Sequence, residues 1–220
     1  MEEINFLAAL HNSTRRDYVA RVVEHDKAAC AAIAKQWGHD YWDGERQYGY
    51  GGYRYDGRWR SVAERMARHY GLTAEHSILD IGCGKGYLLF ELTQVVPGIT
   101  VHGVDISAYA IENAKPEIKS QLKIATATDL PYAAESFDFV YSLNVFHNFP
   151  IYDLKAAVSE MGRVGKKDRY MCIESYRNEQ EKVNLLYWQL TCASFYSTEE
   201  WKWLLQQWAY EGDVGFIFFE

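Results

Sequence analysis

The chain has 220 residues, 48% of them hydrophobic and 24% charged, a globular composition that excludes a disordered or low-complexity protein. Its formal net charge of -7 works against a phosphate backbone as partner, and no apolar run approaches a membrane span. Aromatic residues reach 15%, with 17 Tyr and 7 Trp, a surplus that suits pockets as well as cores because these rings join an apolar body to a polar tip.

The opening stretch, MEEINFLAALHNSTRRDYV, sets no basic flank before an apolar run, so no signal peptide is expected. From Arg16 to Trp37 apolar residues (Val19, Val22, Val23, Cys30, Ile33, Ala34) recur at helical spacing, which predicts one amphipathic helix stopped by Gly38. A loop dense in Gly, Tyr and charge follows, and a second helix is expected from about Arg60 to Tyr70. From Ser77 short apolar runs alternate with helical stretches. SILDIG, VHGVDIS, LKIATAT, FDFVYSLN and RYMCIESY read as five strands, with helices after the first two and from Tyr152 to Arg163. Two further helices are expected over Glu179–Ala193 and Thr198–Trp208, the second with Trp201, Trp203 and Trp208 in the core, and GFIFF as a last strand. Strands bridged by helices predict a doubly wound, mostly parallel α/β sheet of six to seven strands. Residues 1–74 form a helical extension and 75–220 the core, in one compact domain. Cys30, Cys83, Cys172 and Cys192 form no Cys-x-x-Cys pair and read as reduced structural thiols of a cytoplasmic protein.

The chemistry centres on Leu79-Asp80-Ile81-Gly82-Cys83-Gly84-Lys85-Gly86, where a strand turns into a helix. Glycines there let the backbone bend and approach a ligand that a β-carbon would block. Asp105 closes the second strand roughly 20 residues further on, where a carboxylate accepts bonds from a ribose diol. Asp129 follows the third strand, within reach of an adenine amine. Asp80, just before the first glycine, suits an amino group and would repel a pyrophosphate, which argues against a dinucleotide.

In LDIGCGKG, GVDIS, ATATDLPYAAESFDFVYSLNVFHNF and EMGRV, about half of its length, the chain resembles the class I S-adenosylmethionine-dependent methyltransferases. The resemblance implies a Rossmann-like fold with S-adenosylmethionine as cofactor. Gly82, Cys83, Gly84 and Gly86 would lie under the methionine part, with Asp105 and its neighbour Ile106 at the ribose. Thr128, Asp129 and Leu130 would surround the adenine, and Asn144 would touch the methionine moiety. It also implies that the N-terminal extension and the segment after the fifth strand cover the substrate. Lys85 stands where the family has a small residue and is expected to point to solvent. The single strand before Glu220 departs from the family's closing hairpin and leaves the sheet edge open to question.

For the acceptor, His147 lies after the fourth strand, at the edge where open α/β sheets bind ligands. It reads either as a base or orienting group for the acceptor, or as a loop-shaping histidine. Glu174, at the end of the fifth strand, either faces the substrate or serves a structural hydrogen bond. The loop Tyr48–Trp59 carries Tyr48, Tyr53 and Tyr55 among its glycines and reads as a mobile aromatic lid, a packing loop, or a cage for a cationic amine. Arg54, Arg58 or Arg60 is a candidate clamp for a carboxylate or phosphate. No Cys/His cluster has metal-ligand spacing. The expected function is transfer of a methyl group to an oxygen or nitrogen of a small molecule, with no nucleic acid or membrane partner. The rivals are a macromolecular acceptor or a non-catalytic S-adenosylmethionine-binding module. The sequence carries no indication of oligomeric state.

Overall fold

The computed structural model describes residues 1–14 and 16–220. The chain opens with five helices, α1 (Ala8–Asn12), α2 (Tyr18–Val23), α3 (Lys27–Ala34), α4 (His39–Trp42) and α5 (Arg60–His69). Strands and helices then alternate through β1 (Ser77–Ile81), α6 (Tyr87–Val95), β2 (Thr100–Asp105), α7 (Ala108–Glu112), β3 (Leu122–Ile124), β4 (Phe137–Leu143), α8 (Ile151–Val164) and β5 (Gly165–Glu174). The last elements are α9 (Glu179–Trp188), α10 (Thr198–Gln207) and β6 (Asp213–Ile217). The sheet order is β3-β2-β1-β4-β5-β6, and every neighbouring pair is parallel. The chain winds outward from β1 in one direction and from β4 in the other. Their carboxyl ends therefore diverge and leave a crevice at the switch point.

Both faces of the sheet are covered, which is why β1 reads as a continuous apolar run and not as an alternation. Ile78 joins one core with Val62, Met66, Leu88 and Phe139. Leu79 and Ile81 join the other with Val140, Met171 and Trp201. As the sequence suggested, no closing hairpin follows among the described residues: β6 stands alone, parallel to β5. Its free side meets the chain's first residues: Ile4 N–H donates to Val214 O at 2.8 Å and Val214 N–H to Glu2 O at 2.9 Å.

Three sequence expectations need correction. The single helix over Arg16–Trp37 is two, because Asp17 and Asp26 each cap a new start by accepting from Ala20 and Ala29 N–H. The helix expected to reach Ala193 ends at Trp188, since Ala193 and Ser194 N–H both turn to His147 O at 2.9 Å. Trp201 is fully buried, but Trp203, two residues on, is 58% exposed on the outer face of α10.

Candidate active site

The carboxyl edge of β1, β4 and β5 opens into a cavity of about 480 Å³, roofed by the N-terminal extension and walled by residues just beyond α9. Its floor begins at the glycine turn. Gly82, Gly84 and Gly86 have φ of +84°, +54° and +72°, a left-handed backbone that favours glycine. A β-carbon on Gly82 would run into the Val145 side chain, and one on Gly84 into the Trp42 ring. The turn is therefore tightly packed, against Val145 at Gly82 and under the roof residue Trp42 at Gly84.

Asp80 lines this cavity with its side chain 5% exposed and no cation beside it, so burial pushes its carboxyl up to about 8. Asn144 is held at φ +59°, and its buried Oδ1 has no hydrogen-bond partner. A carboxylate lacking a cation and an amide oxygen lacking a donor fit the ammonium of an amino acid. Asp105 is raised by burial, offset by Ser107 and Gly84 N–H, each donating to it at 2.8 Å. Ile106, Thr128, Asp129 and Leu130 lie outside the cavity lining, along the β2–β3 side, with Ile106 49% exposed. Leu130 is fixed from behind: its N–H donates to Glu160 at 2.8 Å and its carbonyl accepts from Arg163 at 3.1 Å. That pair gives the EMGRV helix end a physical job.

His147 and Glu174 sit together on the opposite side of the cavity. Glu174 N–H donates to His147 Nδ1 at 3.3 Å, which leaves the ring proton on Nε2, 3.3 Å from Glu174 Oε2. That second contact is out of line for a hydrogen bond, and Oε2 has no partner. Burial drives the His147 imidazole down to about 3 and the Glu174 carboxyl up to about 8, the latter partly offset by Arg16. Both groups are thus neutral at neutral pH.

The roof is laced together. Tyr50 N–H donates to Tyr41 O and Tyr53 N–H to Trp42 O, while Tyr53 stacks on Tyr87 at 5.0 Å. Of the lid residues singled out from the sequence, Tyr53 and Arg58 line the cavity, together with Tyr50 of the same loop. Tyr48 packs on the Cys30–Ala34–Leu190 cluster instead, Tyr55 bonds Glu91, and Arg54 is exposed outside the lining. Arg58 and Arg60 are paired with Asp56 and with Glu64 and Glu91. Lys85 does not point to solvent. It is 4% exposed, 2.6 Å from Asp43, and donates to Tyr53 O at 2.8 Å, tying the glycine turn to the roof.

Sequence reasoning missed that lock, the wall of Trp188, Gln189, Leu190 and Thr191, and Trp42 over the glycine turn. It also missed Arg16, Arg21 and Arg46 around the cavity mouth. Asp17 and Asp26, two capping residues nine apart, were the one local signal for the true course of this segment.

An open parallel sheet with a glycine turn after β1, a carboxylate at the tip of β2 and a cavity across the switch point defines a nucleoside-binding α/β protein. Residues 72–211 match the model of the methyltransferase domain family, and the chain belongs to that family, in its class I S-adenosylmethionine-dependent group. It is similar to the methyltransferase GfsG of Streptomyces halstedii, 30% identical over 110 residues that cover 47% of this chain and 38% of that protein. It is likewise 32% identical over 114 residues to the demethylmenaquinone methyltransferase of Roseiflexus sp. strain RS-1, covering 50% of this chain and 47% of that one. The chain thus spans less than half the length of these curated relatives. The crystal structure of the YcgJ protein from Bacillus subtilis shares the fold with a TM-score of 0.56 and 25% identity, over 66% of each chain.

Proposed function

We propose that the protein transfers a methyl group from S-adenosylmethionine to an oxygen or nitrogen of a small molecule held in the roofed cavity. The observation that carries this reading is continuity. One cavity runs from Asp80 and the glycine turn to the buried His147–Glu174 pair, so donor and acceptor sides share one space. Its enclosure by the N-terminal roof favours a small acceptor over a polypeptide or a nucleic acid. When bound, S-adenosylmethionine supplies a methyl carbon already activated by a positively charged sulfur. Asp80 and Asn144 would hold its ammonium, Asp105 with Ile106 its ribose, and Thr128, Asp129 and Leu130 its adenine.

The remaining work is alignment and, for a hydroxyl or protonated amine acceptor, removal of a proton. Alignment in a closed site is worth up to about 7–11 kcal/mol. We assign proton acceptance to Glu174, whose carboxyl ionises near the pH at which a base is most useful. His147 is neutral, and one ring nitrogen already accepts from Glu174 N–H; it positions Glu174. With a set of small acceptors screened by radiolabelled methyl transfer, Glu174→Gln should lower kcat about 10²-fold or more. It should leave affinity for S-adenosylhomocysteine unchanged and flatten the rise of rate with pH toward 8. His147→Asn should shift that rise without abolishing it. Turnover of Glu174→Gln within about twofold of wild type would remove Glu174 from the mechanism.

A further inference from the structure

Three guanidinium groups gather around one indole at the mouth of the cavity. Arg16, Arg21 and Arg46 stand 5.6, 5.1 and 5.2 Å from the ring centroid of Trp188. None has a carboxylate within 4 Å among the described residues. Four arginines elsewhere are paired, Arg58 with Asp56, Arg60 with Glu64, Arg163 with Glu160 and Arg177 with Glu181. Arg54, Arg65, Arg68 and Arg169 are not, but only the three around Trp188 combine the lack of a carboxylate with a shared place in the cavity lining.

Their forks are nonetheless held in place. Arg21 Nη1 donates to Arg46 O at 2.8 Å and its Nε to Trp188 O at 3.3 Å, while Arg46 Nη1 donates to Gly49 O at 2.7 Å. These bonds leave Nη2 of Arg21, and Nε and Nη2 of Arg46, without a protein acceptor among the described residues. Arg16 gives Nη1 to the His11 and Thr14 carbonyls at 3.3 and 3.1 Å and Nη2 to His11 Nδ1 at 3.1 Å, and only its buried Nε lacks an acceptor among the described residues. Like charges held this close repel one another, and partial burial holds the Arg16 and Arg21 guanidiniums below their usual range, with Arg46 adding to the effect on both. Glu174 acts on Arg16 through space and offsets part of this effect, while burial raises the Glu174 carboxyl itself. Guanidinium groups fixed around one ring, with free N–H groups and no carboxylate to match their charge, suit a planar or tetrahedral oxyanion.

The place on the sheet separates this cluster from the donor end. Arg16 also stacks on Phe219, just beyond β6, whereas the glycine turn follows β1. Three strand spacings lie between β1 and β6, roughly 14 Å at about 4.8 Å each. The cluster therefore stands on the acceptor side of Glu174.

We propose that Arg16, Arg21 and Arg46 form an oxyanion receptor and that the methyl acceptor is an anion, its carboxylate or phosphate group docked at the cavity mouth and its nucleophile reaching Glu174. The receptor's role in catalysis rests on the methyltransferase reading; its existence as an anion site does not. The cationic cluster on a chain of net charge -7 would also steer such a ligand to this cavity.

The test measures thermal unfolding with inorganic phosphate in one arm and malonate in the other, against chloride at matched ionic strength, with and without S-adenosylhomocysteine. At ten times its dissociation constant, the preferred anion should raise Tm by about 3–6 °C in wild type. Which arm responds tells a phosphate acceptor from a carboxylate one. Arg21→Gln and Arg46→Gln should weaken that anion at least tenfold, whereas Arg177→Gln, whose guanidinium is paired with Glu181 and Glu220 outside the cavity lining, should match wild type. S-adenosylhomocysteine affinity, unchanged within twofold, marks each variant as folded. No shift beyond chloride in either arm, or equal shifts in wild type and both variants, overturns the proposal. So does loss of the anion effect when S-adenosylhomocysteine is added, which would place the cluster at the methionine carboxylate. If wild type fails to bind S-adenosylhomocysteine yet keeps the arginine-dependent shift, the receptor stands and the methyltransferase reading falls.

Discussion

Asp80 shows how a binding group is kept at a cost to the empty protein. Its carboxyl is pushed up to about 8 by burial, against 3.8 for the free side chain. A carboxyl raised in the folded state keeps a proton that the unfolded chain releases above pH 4. The stability this confers is complete below that pH and is lost as pH climbs toward 8. Asp80→Asn should therefore raise the Tm of the ligand-free protein by a few degrees at pH 8 and by almost nothing at pH 4, as scanning calorimetry would show. The same change should weaken S-adenosylhomocysteine about 10- to 100-fold by removing a charge-assisted bond. Because the ammonium of the ligand calls for the ionised carboxylate, binding at pH 7 should release up to one proton. Titration in buffers of different ionisation enthalpy measures that release, and a value of zero would mean that Asp80 is already ionised in the free protein. The place of Asp80, Gly82 and Gly84 on the cavity wall was legible in the sequence because they lie at fixed offsets within one strand-to-helix turn; Gly86 and Asp105 lie outside that lining. Lys85 was not legible, since its partner Asp43 lies 42 residues earlier in a loop without periodicity.

At the scale of elements, the glycine turn and the roof behave as one unit. Asp43 accepts from Lys85 and from the Tyr109 hydroxyl, at 2.6 and 2.7 Å, so a single roof carboxylate holds the turn after β1 and the helix after β2. Burial tends to raise Asp43, and the Lys85 and Tyr109 hydrogen bonds bring it below its ordinary value. Lys85→Met leaves a carboxylate without its cation and should cost about 3–5 kcal/mol. The expected signature is a Tm lower by roughly 10 °C, with faster proteolytic cleavage between residues 45 and 58. Unchanged cleavage would show that aromatic stacking alone holds the roof. Gly82→Ala should disturb the turn more locally, because its β-carbon meets Val145 at a φ of +84°. It should lose most S-adenosylhomocysteine binding, and adding Val145→Ala should recover only part, since the backbone strain remains. The strands and most helices were readable from periodicity, which is a property of each segment alone. The wall beyond α9 was not. Nothing in Gln189–Ser194 signals a helix end, and its cause is the His147 carbonyl, more than 40 residues away in the chain.

Across the whole molecule, β6 is the edge that has to be protected. One side pairs with β5, and the other meets Glu2–Ile4, with Asn5 adding a bond to Phe216 O at 2.8 Å. Removing residues 1–5 should expose this row of backbone donors and acceptors and promote pairing between copies. Sedimentation velocity at rising concentration would reveal it; an unchanged monomeric or oligomeric profile would show that side chains alone guard the edge. The parallel order of the sheet followed from the alternation of strands and helices, but the course of the extension over it did not. Contacts such as Asn5 with Phe216 and Arg21 with Trp188 span 211 and 167 residues and leave no local trace. That separation also sets a timetable. During synthesis the roof leaves the ribosome before its seat on α9 and β6, which follows roughly 10–40 s later at ordinary elongation rates. The glycine turn, β2 and β4 are finished well before then. A nascent chain stalled after β5 should thus already capture the methyl donor, while the place for the acceptor is still being translated.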